Sequence, residues 1–552
     1  MNLKFILSAA LAGGTVFAGF ADGYTDGVEY FQAGQYENAE IVLNQTLNDP
    51  TTDKAVAYYY LGSIALQKGD KAKANEYYEL GLQANPEYPF NYIGKGELAL
   101  KNNNKENAED LFKQAEKIDK KDGAIKIGIA RAFYSTDSVL FKKDIEKYLK
   151  DAKKKDKEDP TIYIFEGDRF ADQKEYGKSA SYYEMAILYD ADRPVPYVKY
   201  ANTYFHIVPK VAIEKLKEIV DKNPNSALGQ RELAEKYYEN NQWTLAAQQY
   251  KNVIDNPNHF PSDEIRYTQL LYFGERYDES IAMANQLLAK NTALFPMKRM
   301  LFLNYAALKN FPEAEKYAEE FFQMKEDEVY TFTSNDYATY GTVLLELEKD
   351  SLAVNAYEKA IQISPDKKEL YIDLSAAYSA LASQNRDGAT YAKAADAYEQ
   401  YINKGEYGNG YDLNDLFVLT GKYQNVIATA TDTVAKTAAY DKVMKHMDFI
   451  LEKQPNDYRI WQRKARIIRI YNGEDNKTQA AVDAYLKTID VVNADADVQA
   501  DRKNSVLEEA YIYIGTYYLI NLKDTPTAKS YFEKAYAINP TDAMRNYIDG
   551  LK

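Results

Sequence analysis

The sequence has no cysteine, three histidines and two tryptophans among its 552 residues. Without a thiol there is no disulfide framework, no cysteine nucleophile and no thiolate metal site. The histidines, His206, His259 and His446, stand too far apart to suggest a multi-histidine metal centre. Basic residues are in the minority, with 68 Lys and Arg against 83 Asp and Glu, for a net charge of −15. A chain of that sign repels a phosphate backbone, which sets nucleic-acid binding aside. The run Lys153-Lys154-Lys155 is flanked by acids on both sides and reads as a solvated helix end.

Long apolar runs are missing as well, except at the start. The first residues read MNLKFILSAALAGGTVFAGFADGY. Lys4, the apolar stretch from Phe5 to Phe20, and the small-residue sites Val16-Phe17-Ala18 and Gly19-Phe20-Ala21 follow the plan of a secretory signal peptide. Gly13, Gly14 and Gly19 argue against a buried first helix. Cleavage after Ala21 would remove one positive charge and leave −15 − 1 = −16. No cysteine stands at the cleavage site to accept a lipid, and a thiol-free chain suits an oxidising compartment. No later stretch is long and apolar enough to span a bilayer. The expectation is a soluble, exported protein of a Gram-negative periplasm, with residues 1–21 removed.

Catalytic patterns are also wanting. Adjacent carboxylates such as Glu319-Glu320 and Glu508-Glu509 fall at helix-surface spacings with lysines nearby, as in Glu313 and Lys316. The acidic segments at 190–196 and around Asp495, Asp497 and Asp501 lack the glycine and terminal glutamate of a calcium loop. Gly94 and Gly96 follow no strand and precede no Lys-Ser/Thr pair, so they form no phosphate loop. No Gly-x-Ser-x-Gly elbow occurs. We expect no catalytic residue, cofactor or metal ion, and so no enzyme.

What the sequence does hold is 51 tyrosines and a repeat. From Tyr59 to Pro86, Gly62 and Ala65 precede a Gly69-Asp70 turn, followed by Ala74, Tyr78, Gly81 and Pro86. The pattern returns with Gly96, Ala108, Phe112 and Ala115, with Gly341, Ala353, Tyr357 and Pro365, and with Gly515, Ala528, Phe532 and Pro540. Following the small first-helix position gives Gly27, Gly62, Gly96, Ala130, Gly167, Ala201, Ala234, Thr268, Phe302, Gly341, Ser375, Thr420, Ala465 and Gly515, 14 units in all. Spacings of 34 recur, as from 62 to 96 and from 96 to 130. Thr268 and Phe302 are the poor fits, and irregular packing is expected there. Many tyrosines fall at repeat positions, such as Tyr30, Tyr36 and Tyr78.

This pattern resembles the tetratricopeptide repeat, a 34-residue helix–turn–helix family. The resemblance implies an all-α, right-handed superhelical solenoid of about 13–14 hairpins, because one hairpin cannot bury its apolar face alone. We expect an N-terminal array over residues 22–333. A C-terminal array over 334–552 should continue it, with longer insertions near 383–391, 429–437, 471–478 and 491–504. In this family the first helices line a concave groove through positions two, five, nine and twelve. Those positions place Tyr59, Ser63, Phe90, Glu97, Asn202, Phe205, Arg231, Glu235 and Tyr238 at a partner groove. Such a surface suits a protein or peptide partner. Val198 stands at position five beside Asn202 at position nine, so the Lys/Asn carboxylate clamp of one subfamily is not reproduced. The implied role is a non-enzymatic periplasmic scaffold for envelope or outer-membrane transport and assembly. The alternative is a glycan- or small-ligand-binding solenoid that stacks its ligand on groove tyrosines.

Overall fold

Every regular element of the computed structural model is helical among the described residues: 29 α-helices and one π-helical stretch. The described residues are 23–256, 259–404, 412–473 and 475–551, so the signal-type segment 1–21 lies outside them. No helix among them is long and apolar enough to cross a membrane. The architecture is an all-α repeat solenoid. Contacts divide the chain into two compact units, residues 1–300 and 301–552.

The first unit is a stack of antiparallel hairpins. α1 (Gly23–Gln32) pairs with α2 (Tyr36–Thr46), α3 (Lys54–Gln67) with α4 (Lys71–Ala84), and α5 (Pro89–Lys101) with α6 (Lys105–Ile118). Next come α7 (Gly123–Asp137) with α8 (Lys142–Lys155), and α9 (Pro160–Asp172) with α10 (Tyr176–Tyr189). α11 (Pro194–Tyr204) pairs with α12 (Pro209–Lys222), α13 (Ala227–Glu239) with α14 (Trp243–Asp255), and α15 (Pro261–Phe273) with α16 (Tyr277–Lys290). Local chemistry sets the limits of each helix. The Asp53 side chain caps α3 by accepting from the Ala55 and Val56 amides. Gly69, at φ +84°, turns the chain, and Asp70 caps α4. The Lys153–Lys155 run ends α8, where Lys153 pairs with Glu166 at 3.0 Å.

Packing within the stack explains the small positions. A Cβ on Gly62 would stand 2.5 Å from the Tyr78 ring, and one on Gly94 would stand 2.3 Å from it. Tyr78 is therefore clamped between two glycines and is fully buried. Gly96 meets Phe112, and Gly167 meets Tyr183, in the same way. The expected irregularity at Thr268 and Phe302 resolves into an exchange of volume. Sixteen residues after Gly62 stands Tyr78, whereas sixteen after Thr268 and Phe302 stand Ala284 and Ala318. All four of these latter side chains are fully buried, so the bulk has moved from the second helix to the first.

In the second unit, most of the extra residues lengthen helices rather than loops. Glu369–Asn385, Gly388–Lys404 and Leu413–Thr429 each run 17 residues, and Thr433–Lys453 runs 21, against 14 for α3. The loop before Ser334 is held down by Phe332, whose ring centroid lies 5.0 Å from that of Phe321.

One contact of the first unit departs from nearest-neighbour stacking. The unit curls so far that α1 touches α11 and α13. Arg193 Nη2 donates to Gln32 Oε1 at 2.8 Å, and Gln35 Nε2 donates to the Glu232 carboxylate. The concave face is thus closed upon itself.

Candidate functional site

The closure leaves a chamber inside the first unit. It consists of two adjoining cavities of about 220 and 430 Å³ that share Phe31, Tyr36, Tyr59, Arg131, Asp168 and Lys199. Its walls come mainly from the first helices of the hairpins, joined by the turn after α1, Tyr36 at the start of α2 and Tyr183 of α10. Rings crowd one end. Tyr59 lies 4.9 Å from Tyr60 and 5.5 Å from Phe90, and Phe31 lies 4.9 Å from Tyr60. Burial raises the pKa of Tyr59 and of Tyr60, so both remain neutral phenols.

Charge gathers at the other end. Asp168 accepts from Arg131 Nη1 and Tyr183 Oη and pairs with Lys199 Nζ, each at 2.8 Å. Burial raises the Asp168 pKa, but Lys199 and Arg131 outweigh it and hold the carboxyl below the usual range. Arg131 also lies over the Phe165 ring at 5.0 Å. Glu97 behaves in the opposite way. Burial raises its pKa against the opposing effects of Ser135, which donates at 2.7 Å, and Lys101. Arg131, Lys199 and Arg193 line the smaller cavity beside a single carboxylate, Asp168, which favours an anionic group on the ligand there, whereas Asp172 and Glu97 join Asp168 in the larger cavity.

The sequence-derived groove residues divide into two sets. Tyr59, Ser63, Glu97 and Asn202 line the larger cavity together, and Phe90 lines the smaller. Ser63 is nonetheless nearly buried, with its Oγ 3.3 Å from Tyr78 Oη. Phe205, Arg231, Glu235 and Tyr238 are engaged in packing elsewhere. Phe205 is buried, with Lys236 Nζ 5.0 Å from its ring. Arg231 is buried beneath α1, paired with Asp263 at 2.5 Å and lying over the Phe260 ring at 4.4 Å. Glu235 accepts from Arg266 Nη2 at 2.7 Å, and the same guanidinium covers the Tyr238 ring at 4.0 Å. Arg131 and Asp168, the centre of the site, went unnamed in the sequence. They occupy position nine of the two units between Glu97 and Asn202, so applying the same position to every unit would have found them.

Elsewhere, His259 Nδ1 lies 2.6 Å from the Asn256 carbonyl oxygen, and burial lowers the pKa of His446. No cluster of metal-ligating side chains occurs among the described residues.

Comparison with known proteins adds the following. A tetratricopeptide-repeat profile matches residues 24–89, and a second matches 91–122, 337–367 and 508–542. No curated protein matches the chain. Among solved structures, the C-terminal part of a TPR repeat-containing protein from Cytophaga hutchinsonii is 24% identical, with a TM-score of 0.37. That match covers 52% of this chain and 99% of the other. A tetratricopeptide repeat protein from Parabacteroides merdae is 13% identical, with a TM-score of 0.28. It covers 59% of this chain and 99% of that one. Repeats of this kind generally serve protein–protein interaction. The matched segments contain Gly62, Phe112, Tyr357 and Phe532 of the repeat frame, and over these segments the chain carries tetratricopeptide repeats.

Proposed function

We propose that this chain is a non-enzymatic scaffold, exported to the periplasm of a Gram-negative bacterium. There it holds together components of envelope or outer-membrane transport and assembly. The segment Lys4 to Ala21 supports export, and the repeat supports the scaffold role. The observation that carries the reading is the chamber, where the rings of Tyr59 and Phe90 sit beside the Arg131–Asp168–Lys199 cluster. An extended peptide segment with a ring and an acidic side chain fits both ends. The same ring cluster supports a second reading, a glycan stacked on Tyr59 and Phe90.

Photo-crosslinking in intact cells tests the choice. A benzophenone amino acid replaces Phe90, or Tyr176 at the exposed start of α10 as a control. A protein captured from position 90 and not from 176 is the expected result. Retention of sugars alone at position 90 would sink the scaffold reading in favour of the glycan.

A further inference from the structure

The seam between α1 and the α11–α15 region is built from more carboxyls than cations. α1 brings Asp26 and Glu29, both more than half-buried. α13 brings Arg231, Glu232 and Lys236, all nearly buried, and Glu235, which Arg266 of α15 neutralises. Arg193 precedes α11 and faces Glu29, while Asp263 of α15 and the neighbouring His259 complete the surroundings. Four carboxyls, Asp26, Glu29, Glu232 and Asp263, thus face Arg193, Arg231 and Lys236, of which Lys236 is already paired with Glu239 at 2.9 Å, while Ser226 hydrogen-bonds Glu29. Glu29 Oε2 is buried with no hydrogen-bond partner. A buried carboxylate in that state is costly, and a protonated one is far less so. The ring contacts are apolar and indifferent to pH. Tyr30 lies 5.9 Å from Phe260 and packs into the same core.

We propose that this seam is a proton-operated latch. With its carboxyls protonated, the first hairpin stays docked on α11 and α13. As they lose protons the seam opens and exposes the chamber, whose wall carries Phe31, Gln32 and Tyr36 of that hairpin. The consequence for a partner rests on the chamber being the binding site. The latch itself does not, and its test requires no partner.

The direction follows from linkage. Burial raises Asp26 from 3.8 to about 6, with Arg231 opposing, and raises Glu29 from 4.5 to about 7, with Asp26 adding to the effect. Burial raises Glu232 and Asp263 as well. The docked state therefore holds more protons than the open one between about pH 4 and 7. Docking must weaken as pH rises through that window. Each pKa unit is worth about tenfold in the equilibrium. Allowing for the partial exposure of both groups, the open-to-closed ratio should rise at least about tenfold from pH 5 to pH 8.

The thiol-free chain lets Glu37→Cys and Thr244→Cys, both at exposed positions, carry a pair of spin labels. Pulsed dipolar spectroscopy should give one narrow distance at pH 5 and an additional longer one at pH 8. With Asp26→Asn and Glu29→Gln added, the short distance should persist at both pH values. A native distribution identical at pH 5 and pH 8 would overturn the latch, and so would a variant that follows the native response. Amide protection factors over residues 23–46 of the unmodified chain give an independent reading, should the substituted chain fold poorly. They should fall at least about tenfold between pH 5 and pH 8, relative to residues 123–155. Equal protection at both pH values would count against the latch.

Discussion

Adding one methyl group at Gly94 tests the clamp on Tyr78. In an unconstrained helix Gly→Ala is favourable by about 1 kcal/mol. Here the new Cβ would stand 2.3 Å from Tyr78 Cε1, closer than carbon atoms approach. The ring cannot retreat, because the Gly62 backbone faces it from α3 and the ring is fully buried. Overpacking costs about 1–3 kcal/mol, and a ring trapped between two helices belongs at the upper end. The net expectation for Gly94→Ala is a loss of about 2 kcal/mol. Urea unfolding followed by far-ultraviolet circular dichroism should show a lower midpoint at unchanged slope. Gly177→Ala is the control, since nothing lies within 4 Å of its added Cβ. It should be neutral or slightly stabilising. Combining Gly94→Ala with Tyr78→Leu should cost less than the sum of the two by about 1 kcal/mol or more. A Gly94→Ala chain as stable as the native one, or strict additivity in the pair, would refute the clamp.

Three further outcomes are expected. Arg231→Met leaves Asp263 buried without its cation. It should cost about 3 kcal/mol at pH 8 and less as pH falls, because burial already raises the Asp263 carboxyl and Arg231 is the main group opposing that rise; thermal melts at pH 8 and pH 5 check this. Burial raises Glu509, but the Arg466, Tyr485 and Gln462 hydrogen bonds hold it below the ordinary glutamate value. Its contribution is therefore present above that value and lost as pH falls through the lowered one. Glu509→Gln should remove about 1 kcal/mol near neutrality and flatten the acid limb of melts between pH 6 and 3; an unchanged limb would contradict the assignment. Phe302→Ala should cost about 3–5 kcal/mol. Adding Ala318→Phe should recover part of that loss if the two positions do exchange volume, as denaturant midpoints would report.

The repeat frame made the hairpins legible, because small residues, turns and capping aspartates recur where packing demands them. Gly62, Gly96 and Gly341 all sit against the aromatic side chain expected of them. Tyr59, Glu97 and Asn202, which the frame puts at groove positions, line the larger cavity. It could not show that Arg231 is buried, because that depends on α1 returning to cover it. A contact between residues separated by 161 or 197 positions leaves no periodic trace. Thr268 and Phe302 looked irregular only because each helix was read alone; read as pairs with Ala284 and Ala318, they conserve volume. The longer spacings after Ser375 did not reveal whether loops or helices had grown, since polar residues populate both.

The closing contact of α1 also separates early from late in folding. Hairpins that touch only their neighbours can form as soon as the adjoining hairpins are in place to cover their apolar faces, because short loops close at little entropic cost. The pairing of Gln35 with Glu232 must wait for five intervening hairpins. It contributes the high-contact-order portion of an otherwise local topology, and such contacts form late and open first. Mutations at Tyr30 or Arg231 should therefore speed unfolding while leaving the folding rate nearly unchanged, whereas those at Tyr78 should affect both. The seam is the last contact made and the first released, so the chamber it closes exists only in the finished molecule.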